Sequence, residues 1–384
     1  MSVTSMLAPR TLVWAAALTL ACASAGAQTS PVASLPLVET SAPQAATQAT
    51  SPAMAASSQS APLAASGLPD LDPDAHFKGK MGGTFGKNVT DILPAYRRVA
   101  VAGFRVAFVT KDSATAQVRA SSFLGRDTSG ARMTVNAALE GVDAATMQAV
   151  TDKAYANFIE QLKQAGREVV PQDELKEFMS GVQVTPSSPE KPFTREVQSQ
   201  TVQLFAPTGM PLWFIHIEGQ WSDRGAFDLG NWRRLGEYSK KYNSIVVTPL
   251  IVVNFVSMQS SGNQSGLVAR TAEADAIPGM TVNTFMSLYN SPVDEGGVQM
   301  TKGIQSNLAF GTMKEVAAED NKAVKGIFDI LGKAAGLANA GGANRATSNR
   351  VMQANSADYR VASLDALGRA TGTFAKLFEK YPSR

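Results

Sequence analysis

The sequence predicts an α/β protein, with α+β as its near variant: a mixed β-sheet with covering helices and a C-terminal helical pair. Three stretches carry that reading. Tyr96–Glu174 reads as strand, long helix, strand. Ser244–Val256 is almost unbroken Val and Ile. Beyond Met313 the apolar spacing changes from the strand period of two to helical steps of three and four.

In the first stretch, Val99 and Val101 share one face of a strand, and Phe104, Val106 and Phe108 share a face beyond Gly103. Gly103 stands where the phase shifts, which predicts a bulge or bend. A polar insertion, Thr110–Glu140, follows, with a Gly-rich turn near Gly125–Gly130 and an alternating run Met133–Glu140 that suits a hairpin. The helix is predicted over Asp143–Ala165. Asp143 is the expected N-cap, and Met147, Val150, Ala154, Phe158 and Leu162 form one apolar stripe. Gly166 ends it as a left-handed C′ residue. Arg167–Pro171 is a short return strand and Asp173–Met179 a second helical piece, completing a β-α-β crossover.

Residues 1–27 have the three parts of a secretory signal: Arg10, the apolar run Leu12–Ala23, and Ala25-Gly26-Ala27 as the cleavage site. Lipidation through Cys22 would make an outer-membrane lipoprotein, but Thr19 stands where such motifs carry Leu. An exported, periplasmic location is therefore expected. Cys22 is the single cysteine. The mature chain then has no thiol chemistry and no disulfide, and must fold on its core alone. With 44% hydrophobic residues it has the material, and a net charge of +3 points to neither nucleic acid nor an anionic membrane surface. Residues 28–67, rich in Ala, Ser, Pro, Thr and Gln, predict a disordered linker. The α/β domain is placed at 68–312 and the C-terminal helices at 313–384, packed on the same body.

Leu68–Leu93 reads as an adapter whose Gly79–Lys87 stretch is a flexible turn. A phosphate loop would need glycine at Met81 and Ser or Thr at Asn88. Further on, Thr201–Phe205 and Leu212–Ile217 are predicted strands joined by a tight turn at Ala206–Pro211. Trp232–Tyr242 is a short helix, and Ser244–Val256 a central strand covered on both faces. Tyr96–Phe108 and Tyr242–Phe255 echo one another, with Pro249 in the place of Gly103. Met280–Tyr289 alternates, and one or two short strands fit in Val298–Phe310. Met313–Ala340 and Ala357–Tyr381 are the terminal helices, joined by the Gly/Ala/Asn/Arg connection Ala340–Ser356. Gly368-x-x-x-Gly372 permits close helix approach, within the chain or with a copy.

Chemistry is sparse. His76 lies beside Asp70, Asp72 and Asp74, which read as a solvated acidic turn because the EF-hand spacing is missing. His216 sits between two isoleucines, and there is neither a Gly-x-Ser-x-Gly elbow nor a His-Glu-x-x-His pair. No catalytic residue, metal site or cofactor is expected. The candidate binding residues are Trp213, Trp221, Arg224, Trp232 and Arg233, since tryptophan and arginine anchor interfaces. The competing reading puts the tryptophans in the core.

The strand with Val99, Val101 and Phe104, the helix to Ala165, and Gly166-Arg167-Glu168-Val169-Val170-Pro171-Gln172-Asp173-Glu174-Leu175 resemble the α/β domain of envelope proteins. That group includes the periplasmic part of the curli-secretion channel CsgG and the N-terminal domain of TolB. The resemblance covers Tyr96–Met179 and carries over no functional residue. It implies a non-enzymatic, exported envelope protein acting in assembly, secretion or scaffolding, with an envelope protein or a second copy as partner and no membrane span. A periplasmic module for a small ligand or glycan, using the loop Glu218–Trp232, is the alternative. A hydrolase with unrecognised carboxylates is the third reading.

Overall fold

The computed structural model describes residues 71–81, 92–118, 121–123, 126–128, 130–215, 218, 220–221, 231–263, 271–289, 295–316 and 344–383. All of them belong to one compact unit, Ala61–Arg384. The predicted signal, the linker, His216 and most of the predicted helix Met313–Ala340 lie outside the described residues.

In chain order the elements are α1 (Pro73–His76), β1 (Phe77–Met81), β2 (Arg98–Val101), β3 (Arg105–Val118), β4 (Ser121–Phe123), β5 (Arg126–Thr128) and β6 (Ala131–Glu140). Then come α2 (Ala144–Gln164), β7 (Glu168–Val169), α3 (Gln172–Phe178), β8 (Phe193–Val197), β9 (Gln200–Phe205), α4 (Trp232–Tyr242), β10 (Ser244–Asn263) and β11 (Thr271–Tyr289). The chain ends with β12 (Glu295–Met300), β13 (Ile304–Ser306), β14 (Gly311–Glu315), β15 (Asn344–Ala354) and α5 (Ser356–Lys380). Thirteen of these strands form one mixed sheet along the path β1-β12-β11-β10-β3-β6-β15-β14. β2 pairs with β10 and β7, β9 with β3 and β8, and β13 with β11, while β4 and β5 form a separate pair. The α/β class is therefore as the sequence predicts.

The helix α2 follows its sequence signals closely. Asp143 Oδ1 accepts from Thr146 N at 2.7 Å, and hydrogen bonding from the Thr146 side chain, then from its amide, holds the carboxylate below its ordinary pKa. At the other end Gly166 has φ +76°, its N–H reaches Lys163 O and the Arg167 N–H reaches Leu162 O. Those two bonds are a Schellman motif, which needs the left-handed residue that glycine supplies. The stripe Met147, Val150, Ala154, Phe158 and Leu162 is buried. It packs with α5, where Phe158 lies 6.0 Å from Phe374, ring centre to ring centre. Gln161 Nε2 donates to Gly368 O at 3.0 Å, and a Cβ on Gly372 would lie 3.2 Å from the same nitrogen. The Gly368/Gly372 pair thus serves contact within the chain.

The parallel centre of the sheet has apolar layers on both faces. Val99, Val101, Ile245 and Val247 point into the cluster shared with α2 and α5. Ala100, Ala102 and Val246 point into a second cluster with Leu175 of α3, Leu235 and Tyr238 of α4, and Trp213. This is why β10 begins as an unbroken apolar run. The two echoing segments lie side by side, with Val99 opposite Ile245 and Val101 opposite Val247. Beyond them the register shifts by one. Ala102, Gly103 and Phe104 oppose only Thr248 and Pro249, because β3 resumes with Arg105 opposite Leu250. The bulge falls where Pro249 has no N–H to offer a neighbour.

The distal ends of the long strands curl strongly. Arg350 on β15 ion-pairs with Asp275 on β11 at 2.6 Å and donates to Ala276 O at 3.1 Å, although β10, β3 and β6 stand between them in the sheet. The right-handed twist of strands makes such coiling possible when interior residues are small. Here they include Ala116, Ala137, Ala274 and Ala276, with Asn136 donating to Asn349 at 2.9 Å across the parallel pair β6/β15.

Four expectations need correction. The connection Ala340–Ser356 contains strand β15, and Met313 lies in strand β14, not in a helix. Of the predicted helical pair α5 is described, while residues 317–340 lie outside the described residues. Of the predicted strand Leu212–Ile217, the described residues 212–215 make no ladder: Leu212 forms a lone bridge with Thr185, and Trp213–Ile215 have no regular structure. The presumed flexible turn at Gly79 begins within β1, paired with β12. The strands at Gly79, Met313 and Asn344–Ala354 lack an apolar alternation of their own and are fixed by their neighbours, whereas Leu212–Ile215 is apolar because it is buried without a ladder.

Candidate functional site

The bulge at Gly103 leaves backbone carbonyls without ladder partners, and side chains satisfy them. Trp213 Nε1 donates to Ala102 O at 3.3 Å. Arg105 Nη2 donates to Thr248 O at 2.8 Å and its Nη1 to Trp213 O at 3.0 Å. The guanidinium also forms a two-pronged pair with Glu218: Nη2 reaches Oε1 at 3.0 Å and Nη1 holds Oε2. Arg105 is 0% and Glu218 2% exposed. Glu218 in turn accepts from Ile215 N at 3.2 Å. Trp213 is therefore a core residue, which overturns its expected place on a binding surface. A Cβ on Gly103 would sit 3.0 Å from its Cζ2. Gly103→Ala is expected to destabilise by about 1–3 kcal/mol, the usual cost of overpacking. A urea midpoint indistinguishable from the parent's would contradict that.

Around this core the structure forms an open cleft of about 920 Å³ at the carboxyl ends of the parallel strands β2 and β7. That end of a parallel sheet is where open α/β folds commonly receive ligands. Its floor is apolar: Ala102, Leu175, Met179 and Val182 are buried. Val184, Pro207, Met210 and Pro211 continue the lining, and Val184 is 44% exposed. The turn at 207–211 forms as predicted, with Met210 N bonded to Pro207 O at 2.8 Å and Gly209 at φ +83°. Helix α2 clamps it. Asp152 Oδ1 accepts from Thr208 N at 2.7 Å, Asp152 Oδ2 accepts from Thr208 Oγ1 at 2.9 Å, and Gln148 Nε2 donates to Ala206 O at 2.8 Å. Gln172, at the start of α3, donates to Tyr155 Oη and to Val101 O, and burial raises the Tyr155 phenol above its ordinary pKa. Asp173 and Lys176 complete the polar side.

The predicted binding residues do not assemble at this cleft. Trp221 is half-buried and lines a smaller groove on the sheet, together with Leu250, Val252, Asn283 and Gln299. Trp232 and Arg233 open helix α4, their side chains outside the description, and Arg224 lies outside the described residues. Asp72 caps α1 by accepting from Asp74 N at 3.1 Å, His76 Nδ1 meets Asp72 O at 3.0 Å, and Asp74 pairs with Lys380. The acidic run thus fastens α1 to α5. Among the described residues no three metal-ligating side chains converge, and no helix is long and apolar enough to cross a membrane. Compared with known proteins, the chain matches no family model, no curated protein and no solved structure.

The cleft residues were not legible as a site. Asp152, Tyr155, Gln172, Lys176 and Met210 come from separate segments, each with an ordinary local role. The one usable signal was the Pro-Thr-Gly-Met-Pro turn, which places two prolines and a methionine at a surface bend.

Proposed function

We propose that this chain is an exported, non-enzymatic envelope protein that acts in assembly, secretion or scaffolding by binding another protein. The cleft between α2, α3 and the 207–211 turn receives an extended apolar segment of that partner. The carrying observation is the chemistry of the lining: valine, leucine, methionine and proline under a thin polar rim. Methionine adapts its shape to varied apolar side chains, and the rim groups fix orientation through a few hydrogen bonds. Asp152 and Thr208 hold the turn to the helix, so the rim is braced against a rigid element. The envelope resemblance of Tyr96–Met179 supports the same reading, since the cleft is built largely from that stretch.

Site-specific photocrosslinking in the envelope tests this. A crosslinker in place of Val184, on the rim, should yield a discrete adduct that the same group in place of Val361 on α5 does not. Val361, 41% exposed, serves as the control. Met210→Glu should reduce that adduct by about tenfold or more, the effect of about 1.4 kcal/mol lost from binding. Identical adducts from both positions, or an adduct indifferent to Met210→Glu, would exclude the cleft as the docking site.

A further inference from the structure

The groove beneath Trp221 has a different chemistry. It holds about 370 Å³, at the lower end of ligand-pocket sizes, and lies on the sheet face formed by β10, β11 and β12. Register explains its construction. Val252 is opposite Asn283, while Leu250 and Gln299 flank residue 285 from the two neighbouring strands. Leu250, Val252, Asn283 and Gln299 therefore rise from one face of the sheet. Trp221 stands over this patch and packs against the core, with Gln220 beside it.

Three amide side chains meet at the groove, those of Gln220, Asn283 and Gln299. Among the described residues none of them makes a hydrogen bond through its amide. Each offers two N–H donors and a carbonyl acceptor in one plane. The acid on the lining, Glu218, is already neutralised and held by Arg105. Among the described residues the groove thus combines a tryptophan, an apolar floor and several neutral donor–acceptor groups, with no available charge.

We infer that this groove binds a pyranose ring of a neutral saccharide. A pyranose has an apolar C–H face that packs on an indole, and a rim of hydroxyls that both donate and accept. Planar amides match adjacent hydroxyls because they supply both roles in a fixed geometry. A phosphate or carboxylate ligand would find no free cation among the described lining residues, and a wholly apolar ligand would desolvate three amides without replacing their water. This inference does not rest on the protein-binding cleft, which lies on other elements.

The test titrates the full mature chain with maltotriose, cellotriose and chitotriose, following ligand signals by saturation-transfer NMR. At least one probe should bind saturably in the millimolar range, with an affinity that does not change with salt. Trp221→Ala should weaken it by about tenfold or more. Because Trp221 is half-buried, the decisive variant is Asn283→Ala with Gln299→Ala, whose side chains are exposed. It should weaken binding at least as far as a few-fold while the thermal midpoint stays at that of the parent. Failure of all three probes to bind, binding unchanged in the amide variant, or an affinity that falls with salt would each overturn the inference.

Discussion

Replacing Glu218 with Ala is expected to cost about 3–5 kcal/mol, the range for removing one partner of a buried ion pair. That is a large share of the roughly 5–15 kcal/mol by which folded proteins exceed their unfolded states. The cause is local and severe. The Arg105 guanidinium, with no solvent exposure, would lose both carboxylate oxygens and keep only the carbonyls of Trp213 and Thr248. Ile215 N would lose its acceptor as well. Replacing both partners, Arg105→Met with Glu218→Leu, removes the stranded charge and should be milder than Glu218→Ala alone. It should still fall below the parent, because the Trp213 and Thr248 carbonyls lose their donor. Urea unfolding followed by circular dichroism ranks the three chains. A Glu218→Ala midpoint matching the parent's, or a double variant weaker than the single, would refute the account.

Arg167→Met should be nearly as damaging, through a different mechanism. Arg167 is 4% exposed, and no carboxylate faces its guanidinium among the described residues. It donates to four backbone carbonyls instead: Leu93 O at 3.3 Å, Phe378 O at 2.9 Å, and the Tyr96 and Tyr381 oxygens. It also lies 5.2 Å from the centre of the Phe378 ring. Burial alone lowers its affinity for the proton, which shows how far it is withdrawn from water. Two of these carbonyls close the C-terminus of α5, where a cation also offsets the helix dipole. Methionine would remove all four of these donations, although Leu93 O keeps the Tyr96 N–H, and about 3–5 kcal/mol is the expected loss. Lysine keeps the charge but not the planar fork, so Arg167→Lys should recover about half. Hydrogen exchange separates this from a generic defect, because amides near Leu377–Tyr381 should open first. Unchanged exchange there with a lowered midpoint would assign the loss to another element.

Much of the fold was legible because its signals are local. Asp143 and Gly166 bracket α2, Gly103 marks the bulge, and the apolar start of β10 announces a strand covered on both faces. What was hidden depends on partners distant in sequence. Asn344–Ala354 is polar enough to read as a connection, yet Asn349 is buried because Asn136 meets it across the ladder. Strands β10 and β11 run past Val256 and back before Met280 through small and polar residues, where the alternation of Ala272, Ala274 and Ala276 with Glu273 and Asp275 has no large apolar side chain to announce it. The site suffered more than the fold. Trp213 has the composition of an interface anchor but supports a bulge, and the cleft is assembled from residues whose individual roles are caps, clamps and turns. Among the described side chains, only Trp221 was both nominated from sequence and found lining a groove.

The position of β15 has a kinetic meaning. This late strand lies between β6 and β14, and α5 after it buries the apolar face of α2. Two of the oxygens that Arg167 needs, those of Phe378 and Tyr381, are supplied close to the end of the chain. A growing polypeptide therefore cannot finish this sheet by closing neighbouring segments in turn. It must wait for β15 and α5 and then make a long loop closure before their contacts stabilise it. Such ordering favours a slow, late collapse. A chain halted before Asn344 would lack β15 and α5, leaving the edge of β6 unpaired and the apolar face of α2 uncovered.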